Sequence, residues 1–247
     1  MGMLDKVSTT RRMCPVIFVI DTSGSMDGAP IGAVNAALEN VLPELVAMNE
    51  KNADNEIRVA LMTFESNVRW LTSELMLPED LQDMWQDLNT GVLTSMGAAF
   101  NELNNMLSIS HGFMQHASGS VAPVLFLLSD GEPTDDYKSG LSKLKNNNWY
   151  KVAVRVAIGY GNSNDDVLRE FTGNKETVLH TNDPQDLKNM IQFVAITSSQ
   201  VASTGAGMIN TFDDENIDPD NNTQKTADMF GTRGNILNAP TDPGEEF

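Results

Sequence analysis

The 247-residue chain is long enough for one sizeable α/β domain. Its 34 Asp and Glu stand against 16 Lys and Arg, a net charge of -18, which speaks against nucleic-acid or anionic-membrane binding without a bridging cation. The single cysteine, Cys14, excludes an intramolecular disulfide, and with no apolar signal core among the first residues this favours a reducing cytoplasm.

Residues 15–20 form an apolar run ending on Asp21 and predict the first strand. Cys14, just before it, reads as a small packing residue. Pro30 opens a helix to about residue 50, with Ile31, Val34, Leu38, Val41, Leu42 and Leu45 recurring near a 3.6 period. No run of about 18 uncharged apolar residues occurs anywhere, so no membrane-spanning helix is expected. Residues 57–64 predict the next strand, and 68–71 a short strand that hairpins back across 65–67. Helices follow over 78–88 and 98–107, the second after a loop carrying Gly91, Thr94 and Gly97.

Residues 122–129 are almost continuously apolar, as in a central strand covered on both faces. This run ends in Asp130-Gly131. A helix over 137–148, a strand over 151–159, a helix over 165–172 and a weak edge strand over 177–180 follow. Asp183 and Pro184 then open a last helix to about residue 199. The alternation predicts a doubly wound, mostly parallel sheet with helices on both faces and one short antiparallel edge strand. The organisation expected is a lead-in over 1–12, one domain over 13–204 and an acidic tail over 205–247. Residues 210–247 hold nine Asp and Glu against Lys225 and Arg233, with few large apolar side chains, and read as flexible alone.

In such a sheet, ligands bind at the carboxyl ends of the strands where strand order reverses. The first strand delivers Asp21, Ser23 and Ser25 to that edge, and the central strand delivers Asp130. Gly24 lets the backbone turn tightly, so that both hydroxyls face one point above Asp21. Mg²⁺ prefers about six oxygens at about 2.0–2.1 Å and readily keeps waters. Ser23, Ser25 and Thr94 can supply neutral oxygens while Asp21 and Asp130 hold waters from behind. Neutral ligands leave the cation's charge largely uncompensated, so an incoming carboxylate becomes a strong sixth ligand.

Asp21-x-Ser23-x-Ser25, Thr94 in a Gly-flanked loop and the strand-ending Asp130-Gly131 resemble the metal-ion-dependent adhesion site of von Willebrand factor A (VWA) domains. A finer likeness, to bacterial tellurium-resistance-type VWA proteins, rests on the run Asp21 to Met26, on Gly28, Pro30, Ile31, Ala33, Val34 and Asn35, and on Asp130-Gly131-Glu132-Pro133-Thr134-Asp135-Asp136. The resemblance covers roughly residues 13–203. It implies a cytoplasmic component of a stress-resistance or defence system; with no general base beside the cluster, no enzyme is expected. Mg²⁺, with Mn²⁺ or Ca²⁺ as alternatives, would bridge it to a partner protein presenting Asp or Glu, kinase- or phosphatase-like proteins being among the expected partners. One departure is that Leu93, not Gly, precedes Thr94, which leaves Ser95 as an alternative ligand.

A competing class is a metal-dependent phosphohydrolase with Asp21 as nucleophile. Its chemistry wants a second Asp two residues on, where this chain has Ser23. Asp135 and Asp136 read as helix caps before Tyr137 rather than as rim ligands, and Glu132 as a solvated side chain. His111, His116 and His180 are too scattered to form a metal set. The tail's carboxylates, tethered near the site, are candidates for a self-inhibiting contact or for a link to a neighbouring copy.

Overall fold

The computed structural model describes residues 11–115, 120–130 and 132–203, together with residues 224, 227 and 228. Gly131, His116 and nearly all of the tail and lead-in lie outside the described residues. Six strands form one sheet: β1 (Arg12–Asp21), β2 (Asn55–Phe64), β3 (Val68–Trp70), β4 (Val124–Ser129), β5 (Val154–Tyr160) and β6 (Val178–Thr181), in the spatial order β3-β2-β1-β4-β5-β6. All neighbouring pairs are parallel except β2 with β3, which is the short antiparallel hairpin at one edge. Strand order runs outward in both directions from β1, so the switch point lies between β1 and β4. Their carboxyl ends carry Asp21 and Asp130.

The helices are α1 (Ala29–Lys51), α2 (Pro78–Asp83), α3 (Met96–Met106), α4 (Tyr137–Lys145), α5 (Asn148–Val152), α6 (Asp165–Thr172) and α7 (Pro184–Ser203). Side chains alternating along β1 build two cores. Val16, Phe18 and Ile20 pack with Val34, Leu38 and Leu45 of α1 and with Leu187 and Ile191 of α7, while Ile17 and Val19 pack with Phe100 and Leu103 of α3, Leu144 of α4 and Phe171 of α6. This two-sided burial is why β1 and β4 read as continuous apolar runs. By length and composition alone, α1 would also pass as a membrane span. Glu39 and Glu44 interrupt it, and nine of its residues are buried against the sheet and its neighbours.

Several predicted elements differ in extent, two of them for a visible reason. The helix expected over 78–88 stops at Asp83, because Asn35 of α1 holds Leu88 in place: Leu88 N–H donates to Asn35 Oδ1 at 2.9 Å and Asn35 Nδ2 donates to Leu88 O at 3.2 Å. The strand expected from residue 151 starts at Val154. Asn147 Oδ1 accepts from the backbone N–H groups of Trp149 and Tyr150, which turns residues 148–152 into a short helix instead.

Glycine sets the distance between α3 and α4, and with it the site. A side-chain carbon on Gly97 would fall 2.6 Å from Asp136 O, and one on Gly140 would collide with Gly97 O. Only glycine at both places lets the amino-terminal halves of these helices touch. The loop before α3 and the loop before α4 are thereby drawn together over the sheet edge.

Candidate functional site

Asp21, the last residue of β1, is fully buried. Its Oδ1 accepts from Ser23 N–H at 2.8 Å and its Oδ2 from the Ser129 hydroxyl at 2.6 Å, so one oxygen is held by the loop that follows β1 and the other by the end of β4. Burial lifts its carboxyl to about 6, against the opposing pull of those hydrogen bonds. Ser23 is buried and Ser25 exposed, their Oγ atoms 3.1 Å apart. Ser25 Oγ donates in turn to Asp130 Oδ1 at 2.8 Å. Partial burial also raises the Asp130 carboxyl above its ordinary value, with the Ser25 bond acting in the other direction. Asp21 and Asp130 are thus two carboxylates flanking two hydroxyls at the switch point.

The third loop is stitched onto this pair. Gly91 N–H donates to Thr22 O at 2.7 Å. A side-chain carbon on Gly24 would sit 3.3 Å from Gly91 O, so the loop lies directly against the turn between the two serines. Thr94 is buried; its N–H donates to Thr134 Oγ1 at 3.1 Å, and its carbonyl accepts from Thr134 N–H at 2.9 Å. Ser95 faces elsewhere. Its hydroxyl donates to Ser66 O at 3.3 Å and its N–H to Glu65 O at 2.9 Å, which ties it to the β2–β3 turn and leaves Thr94 as the hydroxyl of this loop free of such a tie.

Several supporting residues escaped the sequence reading. Ser129 holds Asp21, and the signal for it is a lone polar residue closing an otherwise apolar strand. Thr134 pins Thr94 from the Asp130 loop. Asp135 does not cap its own helix: its two oxygens accept from Gly97 N–H at 2.8 Å and Ala98 N–H at 2.9 Å, so it caps α3 from the neighbouring loop. Asp136 caps α4 as expected, accepting from Ser139 N–H at 3.2 Å, and Asp183 caps α7. Glu132 is not merely solvated, since it accepts from the Asn164 amide at 3.0 and 3.1 Å.

Among the described residues no group of three His, Cys, Asp or Glu gathers to hold a metal, so a cation held here would draw on hydroxyl oxygens beside the two carboxylates. The serine pair fits that use. Adjacent corners of an octahedron with bonds of about 2.1 Å lie about 3.0 Å apart, close to the 3.1 Å between Ser23 Oγ and Ser25 Oγ.

A doubly wound sheet with a hydroxyl–carboxylate cluster on its switch-point loops defines a class of α/β domain built to present a ligand at the strand ends. The chain belongs to the von Willebrand factor type A domain family, whose model matches residues 16–193. Among curated proteins, no sequence matches. Solved structures share the fold. A von Willebrand factor type A protein from Catenulispora acidiphila is 17% identical with a TM-score of 0.57, covering 77% of this chain and 43% of its own. Proximal thread matrix protein 1 from the mussel byssus, with a zinc-occupied MIDAS motif, is 17% identical with a TM-score of 0.58, covering 75% and 48%. The vWF domain of the type V pili tip protein Mfa5 from Porphyromonas gingivalis is 12% identical with a TM-score of 0.58, covering 78% and 97%. The chain therefore spans less than half the length of the first two.

Proposed function

We propose that this domain holds a divalent cation through Ser23, Ser25 and Thr94, with Asp21 and Asp130 behind, and uses it to grip the carboxylate of a partner protein. The observation that carries the reading is the linked set Ser23–Ser25–Asp130 above a buried Asp21, at the octahedral spacing already noted. Mg²⁺ is the cation proposed first, with Mn²⁺ and Ca²⁺ as alternatives. When bound, it supplies an open coordination position for an anionic oxygen. The zinc-occupied MIDAS motif of the mussel protein supports a metal at this position of the fold.

On this reading the domain is an interaction module and not an enzyme. Both Asp21 oxygens are engaged and the side chain is buried, which suits a positioning carboxylate better than a phosphohydrolase nucleophile. The likeness to tellurium-resistance-type proteins motivates a cytoplasmic role in stress resistance or defence, with kinase- or phosphatase-like proteins as partners. Neither nucleic acid nor membrane is proposed as a ligand, in keeping with the net charge.

Calorimetric titration of the metal-stripped protein with Mn²⁺ tests the reading. Ser23→Ala and Asp130→Ala are expected to lower affinity by about tenfold or more, with circular dichroism unchanged. Wild-type affinity in both variants would overturn it.

A further inference from the structure

Four large apolar side chains are conspicuously exposed among the described residues, and two of them, Val92 at 77% and Leu93 at 48%, are consecutive in the loop that carries Thr94. Their position ties them to the site. The backbone of Val92 lies against the turn between the serines, its Cα 3.9 Å from where a side-chain carbon on Gly24 would stand, and Leu93 N–H reaches Ser66 Oγ at 3.4 Å. The loop is thus held at both ends while its two apolar side chains face outward.

The surroundings are one-sided in charge. The carboxyl-edge segments 21–28, 65–67, 88–97, 130–136 and 161–166 contain nine Asp and Glu and no Lys or Arg. Asp27 accepts from Thr90 at the start of the Val92 loop, the Glu65 side chain packs on Gly91, and Glu132 is fixed by Asn164. A lone acidic peptide would be repelled by this rim, and so would the chain's own acidic tail.

We propose that Val92 and Leu93 form an apolar subsite beside the cation, and that the partner segment has an acidic residue next to a large apolar one, with Lys or Arg flanking them. The carboxylate takes the cation, the apolar side chain packs on Val92 and Leu93, and the basic side chains lie over Glu65 and Glu132. This rests on the metal-dependent reading above and adds the selectivity that a bare carboxylate contact lacks.

The probe is a random peptide library displayed on phage, selected on the full chain in Mg²⁺ and, in parallel, in EDTA. The expected Mg²⁺-dependent winners pair Asp or Glu with an adjacent Leu, Ile, Met or Phe and carry Lys or Arg nearby. The strongest of them, as a synthetic peptide, should bind the Val92→Ser/Leu93→Ser double variant about tenfold more weakly. Both positions are exposed, so the variant should fold and keep wild-type Mn²⁺ affinity. Mg²⁺-dependent acidic winners without an apolar neighbour, or with affinity untouched by the double variant, would overturn the subsite while leaving the metal reading in place. Winners that survive EDTA and Ser25→Ala, or the absence of any winner, would overturn the subsite together with the metal-dependent capture on which it rests.

Discussion

Asp21→Asn should make the metal-free protein more stable and, on the proposed reading, weaken its hold on a cation by about 10–100-fold. In the folded chain burial raises the Asp21 carboxyl from its ordinary 3.8 to about 6. A shift of that size corresponds to about 3 kcal/mol by which the ionised form is disfavoured on folding. The sign follows from linkage. A group whose folded value lies above its unfolded one contributes stability that is complete below 3.8 and is lost as pH rises through about 6. Asparagine keeps the shape and cannot ionise: its Oδ1 can still accept from Ser23 N–H, and its Nδ2 can donate to Ser129 Oγ, which rotates from donor to acceptor. Urea unfolding in EDTA, followed by circular dichroism from pH 4 to 8, should give a variant-minus-wild-type difference that grows with pH to about 2–3 kcal/mol. That gain is worth about 5 °C or more in melting temperature for a chain of this size. Taking the difference cancels the general effect of pH on the other acids. If the proposed site binds Mg²⁺, millimolar Mg²⁺ should narrow or reverse this difference, because the wild type then gains more from binding than the variant. A variant no more stable than wild type at pH 8 in EDTA, or a difference flat across pH, would refute the reasoning.

Gly140→Ala should cost about 1–3 kcal/mol and weaken Mn²⁺ binding, since its new carbon meets the Gly97 carbonyl where α3 and α4 touch. Gly32→Ala, in an open part of α1 with nothing within 4 Å, should instead stabilise by about 0.5–1 kcal/mol; thermal unfolding of both separates steric from propensity effects. Asn49→Ala should destabilise by about 2–3 kcal/mol, because Asn49 both donates to Ile57 O at 2.9 Å and accepts from Ile57 N–H at 2.6 Å inside the fold, and urea titration measures the loss. Cys14, fully buried with its thiol pushed up to about 12, should resist iodoacetamide at pH 8 until the protein unfolds, when mass spectrometry should find one adduct; rapid labelling of the native protein would contradict the packing at the start of β1.

The sheet was legible because β1 and β4 are buried on both faces, and uninterrupted apolar runs such as 16–20 and 124–128 admit few other readings. The switch point followed from those strands, and with it the position of Asp21 and Asp130. Element ends were less legible wherever a side chain distant in sequence decides them. Asn35 holding Leu88 across 53 residues stops α2 early, and no local pattern announces that bond. Within the site, the serines and aspartates could be picked out from their spacing, but the residues that hold them could not. Asp135 looked like a cap for the helix that follows it. It caps α3 instead, because the Gly97–Gly140 contact brings that helix end within reach. Which helix a carboxylate caps depends on packing that sequence periodicity does not encode.

Under the metal-dependent reading, the hydroxyl geometry also explains how one cluster could be stable without a cation and ready for one. A serine hydroxyl has one proton and two lone pairs. Ser25 can therefore keep donating to Asp130 while turning a lone pair toward a metal, so that bond survives binding unchanged. The Ser23–Ser25 hydrogen bond would not survive in the same way, because two oxygens bound side by side to one cation turn their protons away from it and so from each other. Its loss would cost about 1 kcal/mol. On the proposed reading, the same burial that makes Asp21 unfavourable in the empty protein makes it an effective holder of metal-bound water. On that reading the domain gives up stability at neutral pH at the residue from which metal binding would recover it.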